Sequence, residues 1–445
     1  MSATAAAPLP PLVKRNGLPA GPRMPRAVQT IGWMSRPLQF IERARAKYGD
    51  VFTMHIGRDT FVVLSDPADV KTVFTGDPSI YHAGEANIIL LPFLGHKSVL
   101  LLDDAKHLSQ RRLLLPPFHG EKMRKHVGLM CEIAEREVAT WPVGVPFKVH
   151  DRMQALTLEV IMRIVFGVDE GDPRLATLRE RLRHFLEATA TPREMFKLMV
   201  YGPQRADRRR IYSAVIDPVD EVIAQVIADH RRRDDLAERD DVLSMLLLAR
   251  HEDGTPMDDA ELRDELVTLL VAGHETTATA LAWAIERLVR HPAALDRLTE
   301  EVRAGEEEYV DAVIRETLRL RPVLPFVGRR LTQPQTIAGY DLPAGARVAP
   351  SIHLVHRRED LYPEPAAFRP ERWLGVRPNP YTYLPFGGGV RRCLGASFAE
   401  TEMRAVLGAV VANVRLAPVR PEAEKVGRRV ITLVPASGGE VKIAA

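Results

Sequence analysis

Apolar residues recur at helical spacing through the middle of the chain and alternate at strand spacing towards its two ends. Between Pro37 and Tyr48 the candidates for a buried face are Leu38, Ile41 and Ala44, and Gly49 stands where a helix C-terminal cap belongs. Val51, Thr53 and His55, then Phe61, Val62 and Val63, flank the turn residues Gly57 to Asp59, which is the pattern of a β-hairpin. From about Asp104 to Arg290 nearly every segment has helical periodicity, with breaks at Pro116-Pro117, around Gly167 to Pro173 and near Gly254 to Pro256. The longest periodic stretch, about Asp258 to His291, is closed by Pro292 and predicts a central helix that crosses the molecule. Glu306 to Leu320 predicts another helix, whereas Pro322 to Leu342 and the tail from Val426 to Ile443 have strand character. No internal repeat or linker divides the pattern. A partly flexible Pro/Ala-rich lead over residues 1–25, then one mainly α domain with small β-sheets over 26–445, is the expected organisation.

Charge and cysteine usage narrow the function. The 445 residues include 61 basic and 58 acidic ones, a balance that argues against nucleic-acid binding. Cys131 and Cys393 are the only cysteines, so neither a disulfide framework nor a CxxC zinc site can be built, and a reducing compartment is expected. The N-terminus lacks a signal-peptide apolar region. The most apolar long stretch, Leu266 to Ala284, contains His274 and Glu275, so no transmembrane anchor and a cytoplasmic location are expected.

The most informative segment is Phe386-Gly-Gly-Gly-Val-Arg-Arg-Cys-Leu-Gly395, which sets Cys393 in a glycine-rich loop before the helical stretch Ala396 to Leu407. No Gly-Lys-Ser/Thr follows, and the glycines are contiguous, so it is neither a phosphate loop nor a dinucleotide fingerprint. A buried structural cysteine is the plain alternative. Arg391, Arg392 and the free N–H groups at the start of the following helix favour a thiolate instead. A second feature, Ala272-Gly-His-Glu-Thr-Thr277, places Gly273 and β-branched residues inside the long helix, where they weaken it. Gly273 could serve close helix packing, and Thr276 could bond back to the Ala272 carbonyl.

The loop matches, at each fixed position, the Phe-x-x-Gly-x-Arg-x-Cys-x-Gly segment of the cytochromes P450, and the chain resembles that family from about residue 15 to its end. The resemblance implies the cytochrome P450 fold and a haem b cofactor with Cys393 as its metal ligand in the Phe386–Gly395 loop. It further implies that Ala272 and Gly273 leave a groove, that Thr276 holds oxygen there, and that Glu275 relays protons from water. Glu316 and Arg319, with Arg372 of Phe368-Arg-Pro-Glu-Arg-Trp373, resemble the family's buried structural ion network. His107 and Arg111, four apart on one helix face, would bind a haem propionate together with Arg391. One of Arg329 and Arg330 would join them, and the spacing before Gly339 favours Arg329.

By the same resemblance, Ile89, Phe93, Ala272, Val323, Phe326 and Ile431 would line a pocket for a lipophilic substrate. The expected reaction uses O2 to hydroxylate or epoxidise that substrate. About fifty residues follow Cys393, so electrons are expected from a separate ferredoxin-like donor and its NAD(P)H-dependent reductase. Arg112, Lys122, Arg124, Lys125 and Arg392 would form the docking face for that donor. A peroxide-using or rearranging member of the family, and a non-catalytic haem sensor or electron carrier, are the alternatives; Glu275 and Thr276 weigh against the first.

Overall fold

The computed structural model describes residues 15–118, 121–168, 172, 174–189 and 191–444. Strand β1 (Arg15–Asn16) is followed by helices α1 (Arg26–Ser35) and α2 (Pro37–Tyr48), the hairpin β2 (Val51–Ile56) and β3 (Asp59–Leu64), helix α3 (Pro67–Thr75) and strand β4 (Tyr81–His82). The helical middle comprises α4 (Leu91–Leu94), α5 (Asp104–Leu114), α6 (Glu121–Val138), then, after β5 (Phe147–Lys148), α7 (Val149–Ile164), α8 (Arg174–Thr189), α9 (Pro192–Tyr201), α10 (Pro203–Arg208), α11 (Ser213–Arg231) and α12 (Val242–Leu248). Next come α13 (Asp259–Leu288), α14 (Pro292–Ala304) and α15 (Glu308–Leu320), then strands β6 (Arg329–Leu331), β7 (Gln335–Ile337), β8 (Tyr340–Leu342) and β9 (Arg347–Pro350). Helices α16 (Ile352–His356) and α17 (Ala396–Asn413) lead to β10 (Leu416–Pro418), β11 (Val426–Arg429), β12 (Thr432–Pro435) and β13 (Glu440–Ile443).

Local chemistry sets most of these boundaries. Helix α2 starts with Pro37 in its first turn and stops at Gly49, whose φ of 87° is open to glycine. The β2–β3 turn is tighter than the sequence implied, because Asp59 already pairs with Ile56 and only Gly57 and Arg58 remain outside the ladder. Helix α13 opens on a capping box in which the Asp258 side chain accepts from the Glu261 N–H and the Glu261 side chain accepts from the Asp258 N–H. Its 30 residues span about 45 Å. Beyond the first two turns it is buried on nearly every side, by α7, α11, α15 and α17 among others.

The strands described form four separate sheets. The largest has the order β2-β3-β9-β6-β4, and its β3–β9 pairing is parallel, joining Phe61 to Arg347 and Leu64 to Pro350. The stretch Pro322 to Leu342 is strand only from Arg329 onward. Residues 1–14 of the expected lead lie outside the described residues, but residues 15–25 are bound to the body. Strand β1 pairs with β8, and Thr53 donates its N–H to the Ala20 carbonyl and its hydroxyl to the Pro19 carbonyl.

One ion cluster ties α15 to the segment that leads to Cys393. Glu316 and Arg319 are completely buried and pair through two bonds of 2.8 and 2.7 Å. The Glu316 carboxylate also accepts from the Arg372 Nε, the Trp373 indole N–H and the Arg369 backbone N–H. Arg319 Nη1 donates to the carbonyls of His356 and Pro365, and Nη2 also donates to the carbonyl of Ala367. A charge so deeply buried is tolerated only when its hydrogen-bonding capacity is filled. Glu316→Gln or Arg319→Leu should therefore cost about 3–5 kcal/mol, and the test is whether either variant accumulates as soluble, cofactor-loaded protein; the expectation is that neither does.

Candidate active site

The loop that carries Cys393 is shaped by close packing against α3. Gly387 and Gly389 have φ near 65°, and a Cβ on Gly388 or Gly389 would strike the Phe74 ring or the Phe74 carbonyl at 2.2 and 2.0 Å. The Cys393 N–H closes the loop by donating to the Phe386 carbonyl at 2.9 Å. Burial pushes the Cys393 thiol up, while the Gly395 N–H and the guanidinium groups of Arg392 and Arg111 act in the opposite direction. Although it is desolvated by the surrounding protein, Cys393 retains accessible surface, as does Ala272 halfway along α13.

A cationic cradle adjoins the loop. His107 and Arg111 on α5, Arg329 on β6 and Arg391 in the loop converge, and burial followed by the charges of Arg391, Arg111 and Arg329 pushes the His107 imidazole down to about 3. Arg391 donates to the carbonyls of Val99 and Leu102 and to the Asp103 carboxylate. Arg329 is buried, donates only to the Gly328 carbonyl among the described residues, and lies over the Phe74 ring. Neither the His107 ring nor the Arg111 guanidinium has a hydrogen-bond partner among the described residues. Arg330 is different: it pairs with Glu85. Three arginines and a neutral histidine therefore face two carboxylates, Asp103 bonded to Arg391 and Asp104 farther off, a composition that fits an anionic group between them.

On α13, Gly273 and Glu275 both meet α7. A Cβ on Gly273 would meet Ile161 Cδ1 of α7 at 2.7 Å, so this glycine lets the two helices pack closely. The Thr276 hydroxyl donates to the Ala272 carbonyl at 2.5 Å and remains accessible. Glu275 reaches towards α7 and β11. Its Oε2 accepts from Gln154 at 2.7 Å and lies 3.6 Å from Arg429, and its Oε1 is 3.8 Å from His150 with no hydrogen bond. Burial raises the Glu275 carboxyl, against the pull of Arg429, Gln154 and Thr279.

The residues expected to line a pocket divide into groups. Ile89, Phe93 and Val323 belong to the main apolar cluster, and Phe93 packs on Tyr212 and Phe185 at ring separations of 4.7 and 6.5 Å. Phe326 lies in a separate cluster with Trp33 and Phe61, and Ile431 is exposed at the β11–β12 turn. Of the basic face, Arg112 and Lys125 are engaged by Glu252 and Asp240, Arg124 and Arg392 are exposed, and the Lys122 side chain lies outside the described residues. Sequence reasoning missed Asp103, which occupies the cap position of α5 but spends its carboxylate on Arg391 and on the N–H groups of Gly84 and Glu85. It also missed Glu402, buried on α17 facing Thr277, whose only signal was an acid on an otherwise apolar helix face.

A deep thiol beside a cationic cradle, under a mainly helical fold with small sheets, defines a haem-thiolate protein. The cytochrome P450 family profile matches residues 18–442, and the chain belongs to that family. It is 44% identical to cytochrome P450 135B1 of Mycobacterium tuberculosis over 440 residues, covering 96% of this chain and 92% of that protein. It is 38% identical to cytochrome P450 137 of the same species over 418 residues, 92% and 86% of the two chains. The fold matches retinoic acid-bound cyanobacterial CYP120A1 with a TM-score of 0.80 at 22% identity over 97% and 99% of the two chains. A cytochrome P450 haem-domain mutant matches with a TM-score of 0.81 at 24% identity over 97% of each. The protein is thus an oxidoreductase of the monooxygenase type with a haem cofactor. Among the described residues no helix is long and apolar enough to cross a membrane.

His356 links the ion cluster to the Cys393 loop. Its Nδ1–H faces the Arg319 carbonyl at 3.2 Å, its Nε2 accepts the Leu384 N–H at 2.8 Å, and its ring stacks on Tyr383. This arrangement requires the neutral ring, and burial, then Arg319 and His353, hold its pKa well below the usual imidazole value. A depressed folded pKa contributes stability that is whole above the unfolded value of about 6.5 and is lost as pH falls further. The stability gap between wild type and His356→Asn should therefore narrow progressively below about pH 6.5, as read by thermal unfolding of both proteins between pH 7.5 and 5.

Proposed function

We propose that this chain binds haem b through Cys393 and inserts one oxygen atom from O2 into a lipophilic small molecule, in the cytoplasm, with electrons from a ferredoxin-like protein and its NAD(P)H-dependent reductase. The observation that carries this reading is the position of Cys393, deep yet accessible, with the Gly395 N–H at its sulfur and the cradle of His107, Arg111, Arg329 and Arg391 beside it. Haem bound through a thiolate supplies the electron-rich iron that favours O–O cleavage.

The chain's own residues would do the rest. The backbone N–H of Gly395 and the nearby arginines stabilise the Cys393 thiolate. The cradle holds the two acidic substituents of the macrocycle, with Arg329 rather than Arg330 as the member from β6. Ala272 leaves room over the macrocycle face, and the Thr276 hydroxyl holds a proton at the groove. Glu275, with an unpartnered Oε1 and a raised carboxyl, can take up a proton and release it towards that groove. Ile89, Phe93 and Val323 offer apolar contact that suits a substrate held mainly by burial.

In the dithionite-reduced, CO-bound state the protein should show the red-shifted Soret band of thiolate ligation. Cys393→Ser should lose that band and Cys131→Ser should keep it; a normal spectrum from Cys393→Ser would end this reading. Thr276→Ala should still bind haem and accept electrons while diverting a larger share of NAD(P)H to peroxide. The measurement is the ratio of product formed to NAD(P)H consumed, and an unchanged ratio would remove Thr276 from proton delivery.

A further inference from the structure

Glu265, on the first half of α13, takes no part in the chemistry described so far, yet it lies where two elements of the cationic cradle meet. It is completely buried. Burial pushes its carboxyl up to about 8, against the opposing pull of the Val99 N–H and the Gln110 side chain, and the carboxylates facing it, Asp264 and Glu261, add to the rise. Its Oε1 accepts the Val99 N–H at 2.8 Å. The carbonyl of Val99 in turn accepts from Arg391 at 3.2 Å, and Leu102 and Asp103 of the same segment bind the other amino group of that guanidinium.

The second connection runs to α5. Gln110, between His107 and Arg111 on that helix, faces Glu265 and pulls against the rise of its carboxyl, while the Glu265 Oε2 and Gln110 Nε2 are buried without a hydrogen bond. Neighbours of Glu265 fasten the same segment: Asp264 accepts the Lys97 N–H at 2.8 Å, and the Thr268 and Ser98 hydroxyls meet at 2.7 Å. Residues 97–99 are therefore laced to α13, and Glu265 holds the one of them whose carbonyl bonds Arg391.

We infer that Glu265 is a positioning residue for cofactor retention, fixing the backbone at Val99 so that the carbonyls of Val99 and Leu102 aim the Arg391 guanidinium, and joining that segment to the helix of His107 and Arg111. The inference rests on the reading of the cradle as the haem-propionate site. It explains why a carboxyl is kept in an apolar layer where an aliphatic side chain would pack without desolvation cost.

The test is the rate of haem loss from the ferric protein to excess apomyoglobin, followed at the Soret band. Glu265→Ala should lose haem about tenfold faster, the equivalent of one hydrogen bond. Glu265→Gln, whose amide oxygen still accepts from Val99, should stay within about twofold of wild type. The double variant Glu265→Ala with Arg391→Ala should be no faster than Arg391→Ala alone. Ile41→Ala, in a separate apolar cluster, lowers thermal stability and should leave haem loss unchanged. Should Glu265→Ala fail to accumulate, Glu265→Leu removes the acceptor while keeping the volume. If Arg391→Ala leaves haem loss unchanged, the cradle reading falls and this inference with it. If Arg391→Ala accelerates loss, but Glu265→Ala does not or the two effects multiply, only the inference falls.

Discussion

The buried carboxylate of Glu316 is the constraint on which the rest of this structure depends. It is completely buried, so each oxygen must find donors within the protein, and those donors come from two separate stretches of chain: Arg319 on its own helix, and the Arg369 backbone with the side chains of Arg372 and Trp373. Arg319 then gathers the carbonyls of residues 356, 365 and 367. Satisfying one ion pair thus orders an irregular stretch in which no long helix or strand could do so. His356 passes that order onward to Leu384, two residues before the loop that presents Cys393. The position of the sulfur is in this sense a result of electrostatic satisfaction elsewhere.

The cradle shows the opposite balance. Around Glu316 both carboxylate oxygens find donors, whereas Arg111, Arg329 and Arg391, beside a neutral His107, bring more positive charge than Asp103 and Asp104 offset. Such an excess is unfavourable in isolation and favourable for an anion that completes it. The fold sustains the excess by holding Arg391 with backbone carbonyls, which orient a guanidinium without cancelling its full charge.

Much of this was legible in the chain itself, for identifiable reasons. The Phe386–Gly395 loop, the α2 stop at Gly49 and the β2–β3 hairpin are local devices, and a local device carries its own signature. What the chain alone left open was direction. From the Ala272–Thr277 stretch alone, Glu275 and Thr276 could be a single working pair, but successive residues on a helix point about 100° apart, and Glu275 went to Gln154 and Arg429. Gly273 could open a groove or admit a neighbour, and only the presence of Ile161 decides. Phe326 went to Trp33 because apolar character specifies burial and not address. Asp103 was hidden because a helix cap and a ligand to an arginine call for the same residue.

The parallel pairing of β3 with β9 also bears on how the molecule is made. Leu64 meets Pro350, so the interior strand of the largest sheet is completed only after most of the chain has been synthesised. At 5–20 residues per second the ribosome would take roughly 15–60 s to travel that distance. During this interval the β2–β3 hairpin carries an unpaired apolar edge of Phe61, Val62, Val63 and Leu64. High contact order at this sheet makes the nascent chain dependent on shielding of that edge, so the interval between translating the two strands is a window for aggregation that the finished fold no longer displays.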